Sequence, residues 1–523
     1  MLEILTRPAV LAPAALLVAY AIYQLFLKPS IIPKGVPIIG YRKGEWFPMM
    51  RARWRNATSF KETILEAERK FPDQAVVLPI AGSGDMVMLP RSEIQFVVDQ
   101  PDAVLCMHTQ VLDSLQADYV FADPSLVRNP LHHKLITTTL TNQIGNLVPD
   151  VAEETAFSFE KEWGSDTEFT EICLYETMCR VIGSVTNRVF VGKPSCRDPE
   201  LLRLGMKYAK FVPTTGQFLR LVPKPLRTIV GPIASIPAHI CTRQFEAVLR
   251  PEIQRRLADY DARQRDPEDK SLAPVPNDFL QWCLQQAKET GDPSMWTTAT
   301  LASRVLLLNF AAIHTSAFSI TSAILDLVFS KQEYVDELRV EIEQVLAEHG
   351  GEWNKRALAK MVKLDSVMRE SSRLNSFVTV GLSRRVVAPG GVTTPSGVQV
   401  PQGATVVVPS YTVMQDGDVY PDPHEFKPFR FAEQRSDESV EYIKRAAKSF
   451  ATTSNDYLAF GHGRGACPGR FFAANELKLM LAHMVLSYDL EIKGPGGRPR
   501  NTWFGLIRIP PMAATIRIKR RAT

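Results

Sequence analysis

The chain lacks most of the short signatures that announce a reaction. Its 523 residues contain no HExxH, no GxxxxGK(S/T), no GxSxG and no GxGxxG after a strand. Those absences remove the usual marks of zinc peptidases, P-loop nucleotide hydrolases, serine hydrolases and dinucleotide-binding folds. Cysteine is scarce and scattered: seven residues without a CxxC pair do not make a disulfide framework and suit a reducing compartment. A one-signed charge surface is also missing. Lys plus Arg at 61 against Asp plus Glu at 56 leaves +5, too dilute over this length for a nucleic-acid partner. No repeat, low-complexity block or bland internal linker divides the chain.

A long uncharged run is present. Ala9–Leu27 spans 19 residues with Gln24 as its one polar amide, and as a helix it reaches about 28 Å, close to the hydrocarbon thickness of a bilayer. We therefore expect residues 1–28 to be an N-terminal membrane anchor rather than a cleaved signal peptide. Residues 29–58 read as a connector, stiffened by Pro29, Pro33, Gly35, Pro37 and Gly40, and residues 59–523 as one large catalytic body. Lys28, Lys34, Arg42 and Lys43 follow the run, whereas Arg7, opposed by Glu3, precedes it. That bias places the body in the cytosol, and the sequon at Asn56 should then stay unmodified.

With 45% hydrophobic and 22% charged residues, the body can bury a large core. From about Ser59 most windows have helical period. Trp296–Ser330, apolar nearly all round, reads as the longest helix and the spine; Lys331–His349 and Leu358–Leu374 follow as helices. Val378–Val387 and Val398–Val408, separated by Gly- and Pro-rich turns, read as short strands. Arg263–Asn277 and Glu433–Asp456 read as surface loops. The fold class is mainly α with small β-sheets (α+β).

The chemistry concentrates in Phe460–Arg470, FGHGRGACPGR. Three glycines crowd the approach to Cys467, and Pro468-Gly469 opens a helix through Phe471, Leu477, Leu481 and Val485. Glycines let backbone approach a flat cofactor, and a helix N-terminus offers N–H donors to a sulfur anion. Cys467 is thus either a thiolate ligand for haem iron or a buried apolar cysteine of the ordinary kind.

The spacing FxxGxxxCxG resembles the haem-binding signature of the cytochrome P450 family. The resemblance extends over essentially the whole chain: Glu370-Ser371-Ser372-Arg373 matches its ExxR, Arg430 within PHEFKPFRF its later arginine, and Ala311-Ala312-Ile313-His314-Thr315 its central helix. It implies a P450-like fold with an N-terminal transmembrane helix, haem b held by Cys467 as axial ligand, and a supporting loop of Phe460, Gly463, Arg464 and Gly469. Glu370, Arg373 and Arg430 would form a structural triad bracing that loop. Thr315 would donate a hydrogen bond to iron-bound oxygen, the alternative being a bond back to its own helix. His314 stands where most members carry Asp or Glu, and either aids proton delivery near neutral pH or caps a polar groove. Gly465 occupies the place of the usual propionate-binding Arg or His, so Arg384 or Arg385, and His133 or Lys134, become the candidates for that task.

The resemblance implies monooxygenation with O2 as co-substrate. Without a nucleotide site of its own, the chain would take NADPH electrons through a partner reductase, possibly with cytochrome b5, docking near Arg464 and Arg470. The substrate would be lipophilic, drawing on Ser114–Val120, Phe310, Phe377–Gly381 and Trp503–Leu506; AAIHTS is similar to fungal members acting on terpenoids and related secondary metabolites. The implied location is the endoplasmic reticulum membrane, single-pass. Alternatives are a thiolate-haem isomerase or dehydratase, and a membrane-anchored haem-binding protein without turnover.

Overall fold

Local sequence explains the first elements. Pro48 opens α1 (Pro48–Thr58) at a position where a missing N–H costs nothing. Buried Val76–Ile80 (β1) turns through Gly82 into β2 (Gly84–Met88), with both Gly82 and Gly84 at positive φ. In this computed structural model the described residues are 31–267, 271–492 and 496–522. The apolar run Ala9–Leu27 therefore lies outside them.

The chain packs as two units. The first takes residues up to Cys106 together with Ser383–Val408. Its five-stranded sheet adds β3 (Leu105–Cys106), β5 (Gly381–Val386) and β8 (Thr405–Val408) in the order β1-β2-β8-β5-β3; β2 and β8 run parallel, the β1–β2 and β3–β5 pairs antiparallel. A small hairpin, β6 (Val392–Thr393) with β7 (Gln399–Val400), completes it. Arg53 on α1 grips Asp85 of β2 through Nε at 2.8 Å and Nη2 at 2.6 Å. Asn56, 1% exposed, donates from Nδ2 to the carbonyls of Ile39 and Pro79 at 2.9 and 3.0 Å. Gly40 closes over it: a Cβ there would lie 2.2 Å from Asn56 Oδ1. The sequon asparagine is thus sealed inside the folded chain, and residues 48–58, read from sequence as connector, form a helix of this unit.

The second unit is helical. It holds α2 (Thr141–Trp163), α3 (Leu174–Phe190), α4 (Pro199–Leu221), α5 (Lys224–Arg265), α6 (Thr298–Val328), α7 (Gln332–Glu348), α8 (Val362–Asn375) and α9 (Arg470–Ser487). Two sheets lie beside them: β4 (Thr170–Cys173) with β12 (Thr515–Arg520) and β9 (Tyr488–Glu491), and the hairpin of β10 (Thr502–Phe504) and β11 (Ile507–Ile509). Asp198 caps α4 by accepting from the N–H groups of Glu200 and Leu201, and Thr297 caps α6 by accepting from Thr300 N–H. α6 packs against α3, α4, α5, α8 and α9. Leu301, Val305, Leu308, Ile313, Ile320 and Ile324 are all buried on it, each stabilising the core by about 1.5–3 kcal/mol. Among the described residues α6 is also the one helix apolar and long enough to cross a membrane, but 56% of its most apolar window is buried, which marks a core helix.

Two expectations need correction. α6, at 31 residues, is not the longest helix; α5 runs 42 residues through Pro232, Pro237 and Pro251, prolines that ordinarily signal a break. It also takes in residues 263–265 of the expected loop. Strands β1 and β2 were not singled out among the mostly helical windows, since a five-residue apolar run is ambiguous by period alone.

Replacing Asn56 by Ala leaves two buried carbonyls without a donor, and the expected cost is about 2 kcal/mol or more. Denaturant unfolding of the full chain checks it; an unchanged midpoint refutes this account.

Candidate active site

The middle of α6 departs from the burial of its flanks. Ser303, Leu307, Phe310, Thr315 and Phe318 are half-buried, and Ala311 is exposed. Positions 303, 307, 311 and 315 recur every fourth residue and so form one stripe, with only a methyl at its centre. Asn309, on another face, exchanges hydrogen bonds with Asn187 of α3 at 2.7 and 3.1 Å, which fixes the rotation of α6 and hence the face left open. Thr315 Oγ1 donates to Ala311 O at 2.8 Å and approaches Ala312 O at 3.2 Å, while Ser319 Oγ donates to Thr315 O at 3.2 Å. Of the two arrangements open to Thr315, the back-bonded one is seen, and successive back-bonds of this kind bend a helix.

His314 faces α3 instead. Its Nδ1 lies 2.8 Å from the Tyr175 hydroxyl and 3.7 Å from Cys179 Sγ. Burial, helped by the Lys210 charge, lowers the imidazole to about 4, so it is neutral at pH 7. Of the two roles open to His314, a neutral imidazole bonded to a phenol accords with the cap of a polar groove.

The cysteine loop is shaped by Gly461 and Gly463, both at positive φ. Cys467 N–H donates to Phe460 O at 2.7 Å, closing the loop, and Phe460 packs on Phe450 with centroids 5.1 Å apart. α9 then starts with Gly469 as its N-cap. Burial pushes the Cys467 thiol up, while the N–H groups of Gly469 and Arg470 and the Arg470 charge pull it down. The sulfur is half-buried and in no disulfide. Gly463 and Arg464 are exposed, and Arg470 lies over the Phe471 ring at 4.4 Å.

α8 carries a buried charge cluster that binds the coil leading toward this loop. Arg373 meets Glu370 with two parallel bonds, Nε to Oε2 at 2.8 Å and Nη2 to Oε1 at 2.9 Å; Arg430 Nε reaches Oε1 at 3.0 Å. The side chains of Glu370 and Arg373 are 0% exposed and that of Arg430 6%. The remaining guanidinium donors bind the carbonyls of Met414, Pro421, Asp422 and Pro423. Two residues on the same helix escaped sequence reasoning. Asp365 accepts from Phe450 N–H at 2.8 Å and from Arg435 at 3.1 Å, and lies 3.4 Å from Lys478 Nζ of α9. Arg369 donates to Thr452 O at 2.7 Å and lies 3.7 Å over the Tyr457 ring. Their signal was the spacing 365, 369, 373 on one face, which a solvated helix shows as often.

The chain matches the cytochrome P450 family profile over residues 98–516. It belongs to the cytochrome P450 family. The cytochrome P450 monooxygenase gloP of Glarea lozoyensis is 32% identical over 86% of this chain and 84% of that one. Cytochrome P450 monooxygenase pbrC of Penicillium brasilianum is 29% identical over 98% and 97%. Cytochrome P450 monooxygenase 103 of Postia placenta is 34% identical over 80% and 81%. The retinoic acid-bound cyanobacterial CYP120A1 superposes with a TM-score of 0.65 at 18% identity, covering 93% of this chain and all of that one, which shows the fold. The protein is accordingly a P450 monooxygenase of fungal type, and the cofactor of its family is thiolate-ligated haem.

The residues of this P450 fit that cofactor. A sulfur outside any disulfide, facing N–H donors at a helix start, in a loop that two positive-φ glycines hold, is a suitable thiolate donor. The candidates for the propionates differ among themselves. His133 and Lys134, in the helix Leu131–Leu135, are exposed, while neighbouring His132 is partly buried and lowered to about 4 by burial and by Arg304. Arg384 belongs to the first unit, where it is 6% exposed and donates to the carbonyl of Ser383. The expected Ser114–Val120 loop is two helical pieces, Met107–Leu115 and Ala117–Val120, hinged at Gln116 with φ 52°.

Glu370→Gln leaves two buried guanidiniums facing an uncharged amide; we expect a loss of about 3–5 kcal/mol and a lower haem-to-protein ratio, read by denaturation and by pigment content. A second prediction concerns Glu476 of α9. It is buried, accepts from Thr186 at 2.7 Å, and burial raises its carboxyl to about 8. Because the folded chain holds this proton while the unfolded chain releases it near 4.5, stability should fall as pH rises from about 5 to about 8. Glu476→Gln should flatten that slope in pH-dependent unfolding, and a slope equal to wild type would refute the assignment.

Proposed function

We propose that this P450 inserts one oxygen atom of O2 into a lipophilic substrate, a terpenoid or related secondary metabolite, with haem b held by Cys467 and NADPH electrons delivered by a separate reductase. The observation that carries the reading is the Cys467 sulfur at the start of α9, with the N–H groups of Gly469 and Arg470 acting on it. Thiolate-held haem activates dioxygen for attack on an unactivated C–H bond once two electrons and two protons arrive.

The chain's own residues bind, orient and deliver. Ala311 leaves room along the stripe of α6, and Thr315, on releasing the Ala311 carbonyl, turns its Oγ1 hydroxyl as a hydrogen-bond donor into the site and relays a proton there, taking one from water for each it passes on. Apolar side chains line the substrate's place: Phe318 lies 6.1 Å from Phe377, Val378 bridges to Ile507, and Tyr411 meets Trp503 edge-on at 5.1 Å. Phe460, Gly463 and Gly469 shape the haem loop, and a buried guanidinium such as Arg384 has the chemistry a propionate requires. Exposed Arg464 is a docking contact for the reductase or cytochrome b5.

The protein works at the endoplasmic reticulum membrane, anchored by residues 1–28 with the body in the cytosol. Supporting this is an exposed apolar stripe on α5, with Ile229, Ile233, Ile236 and Ile240 at helical spacing, beside exposed Phe218 and Leu221 at the end of α4.

The test is the absorption spectrum of the reduced, CO-treated protein. Wild type should show the red-shifted band of a thiolate adduct and Cys467→Ala should lose it. A pigment whose band survives in Cys467→Ala would sink the reading. Turnover that needs NADPH and reductase separates oxygenation from isomerase or dehydratase chemistry.

A further inference from the structure

His314 precedes Thr315 in sequence yet occupies a different face of α6. Its ring lies nearly parallel to that of Tyr175, 19° apart with centroids at 6.3 Å, and to that of Phe318 at 24° and 6.4 Å; Tyr175 and Phe318 stack at 17° and 5.6 Å. Three rings from two helices therefore form one block, joined by the 2.8 Å contact between the Tyr175 hydroxyl and His314 Nδ1.

The groups around the imidazole decide its protonation. From α3 come Tyr175 and Cys179, from α4 Lys210 and the Met206 carbonyl, and from α6 itself the Phe318 ring. Among the described residues no carboxylate acts on it, and the Lys210 charge opposes a second cation. Burial pushes the Tyr175 phenol well above its ordinary range, so the phenol has a proton to offer, and we assign it as the donor to Nδ1 across the 2.8 Å contact. The imidazole proton then sits on Nε2, which is buried without a well-aligned partner.

We propose that the Tyr175–His314 hydrogen bond is a clamp between α3 and α6 that orients Thr315, and that His314 supplies no proton to the reaction. His314 is on this account a positioning residue. A turn of α6 loosened by the back-bonds of Thr315 and Ser319 needs an outside hold, and the clamp provides it one residue from the Thr315 hydroxyl. The inference rests on the monooxygenase reading above for Thr315's role.

The experiment uses the full-length, haem-loaded enzyme with 15N-labelled histidine in its reduced CO form, the His314 signals being assigned by their loss in His314→Gln. The expected result is one neutral tautomer, protonated at Nε2, with shifts constant from pH 8 to pH 5; a titration centred between pH 6 and 7 overturns the proposal. In Tyr175→Phe the ring stack survives without the hydroxyl. The fraction of NADPH electrons recovered in product should fall about three- to tenfold, the effect of losing one orienting hydrogen bond, with the CO spectrum unchanged. His314→Gln, whose amide oxygen can accept from Tyr175, should recover most of it. Coupling in Tyr175→Phe equal to wild type overturns the clamp. The histidine signals are read without turnover, so an absent thiolate spectrum in wild type overturns the functional reading alone, and a titrating His314 overturns the clamp alone.

Discussion

A carboxylate enclosed between two guanidiniums, with all three side chains buried, is the constraint on which the rest of the site depends. Glu370, Arg373 and Arg430 are all buried, and each ion costs several kcal/mol to dehydrate. The arrangement persists because nearly every donor is used. Two bonds run between Arg373 and Glu370, one from Arg430, and the leftover N–H groups close on four backbone carbonyls between Met414 and Pro423. Those carbonyls belong to a segment without regular structure, which has no ladder or helix to satisfy them. The charges therefore order the coil as much as the coil stabilises the charges.

The same helix carries the constraint one step further. Asp365 and Arg369 bind the backbone of Phe450 and Thr452, a short stretch before the cysteine loop, and Asp365 also approaches Lys478 on α9. α8 thus touches the chain before the loop and the helix after it. A loop built from Gly461, Gly463 and Gly465 has little intrinsic preference for one conformation, so its order has to be imposed by its flanks. The side of α6 is governed differently. There the Asn187–Asn309 pair fixes rotation, and the 303–307–311–315 stripe is left partly uncovered, with Ala311 exposed.

What the sequence disclosed follows from how local each signal is. FGHGRGACPGR could be read because loop, cysteine and helix start lie within eleven residues, and the bounds of α6 and α7 to within two residues because each is a long unbroken run. The long α5 was hidden by prolines inside it, and β1 and β2 by runs too short to separate from buried helix. The partners of α8 were invisible for another reason: Asp365 meets Phe450 and Arg435 across more than 60 residues, and nothing in either stretch marks the other. His314 shows the limit most sharply. Its place next to Thr315 suggested chemistry, whereas its character is set by Tyr175, 139 residues away.

That contrast separates two ways in which one helix serves a reaction. On the proposed reading, Ala311 and Thr315 work by what they leave accessible, a methyl in place of bulk and a hydroxyl held only by its own backbone. His314 works by what it ties down, since a buried neutral imidazole with a phenol on Nδ1 has no charge to exchange near pH 7 and considerable directional strength to give. Residues on adjacent positions of a helix diverge by about 100°, enough for one to face the open stripe and the next to face α3. If Thr315 carries the proton chemistry as proposed, that chemistry and the mechanical hold lie on different faces within two residues, and a change in the hold would alter how Thr315 is aimed without touching the sulfur side of the site.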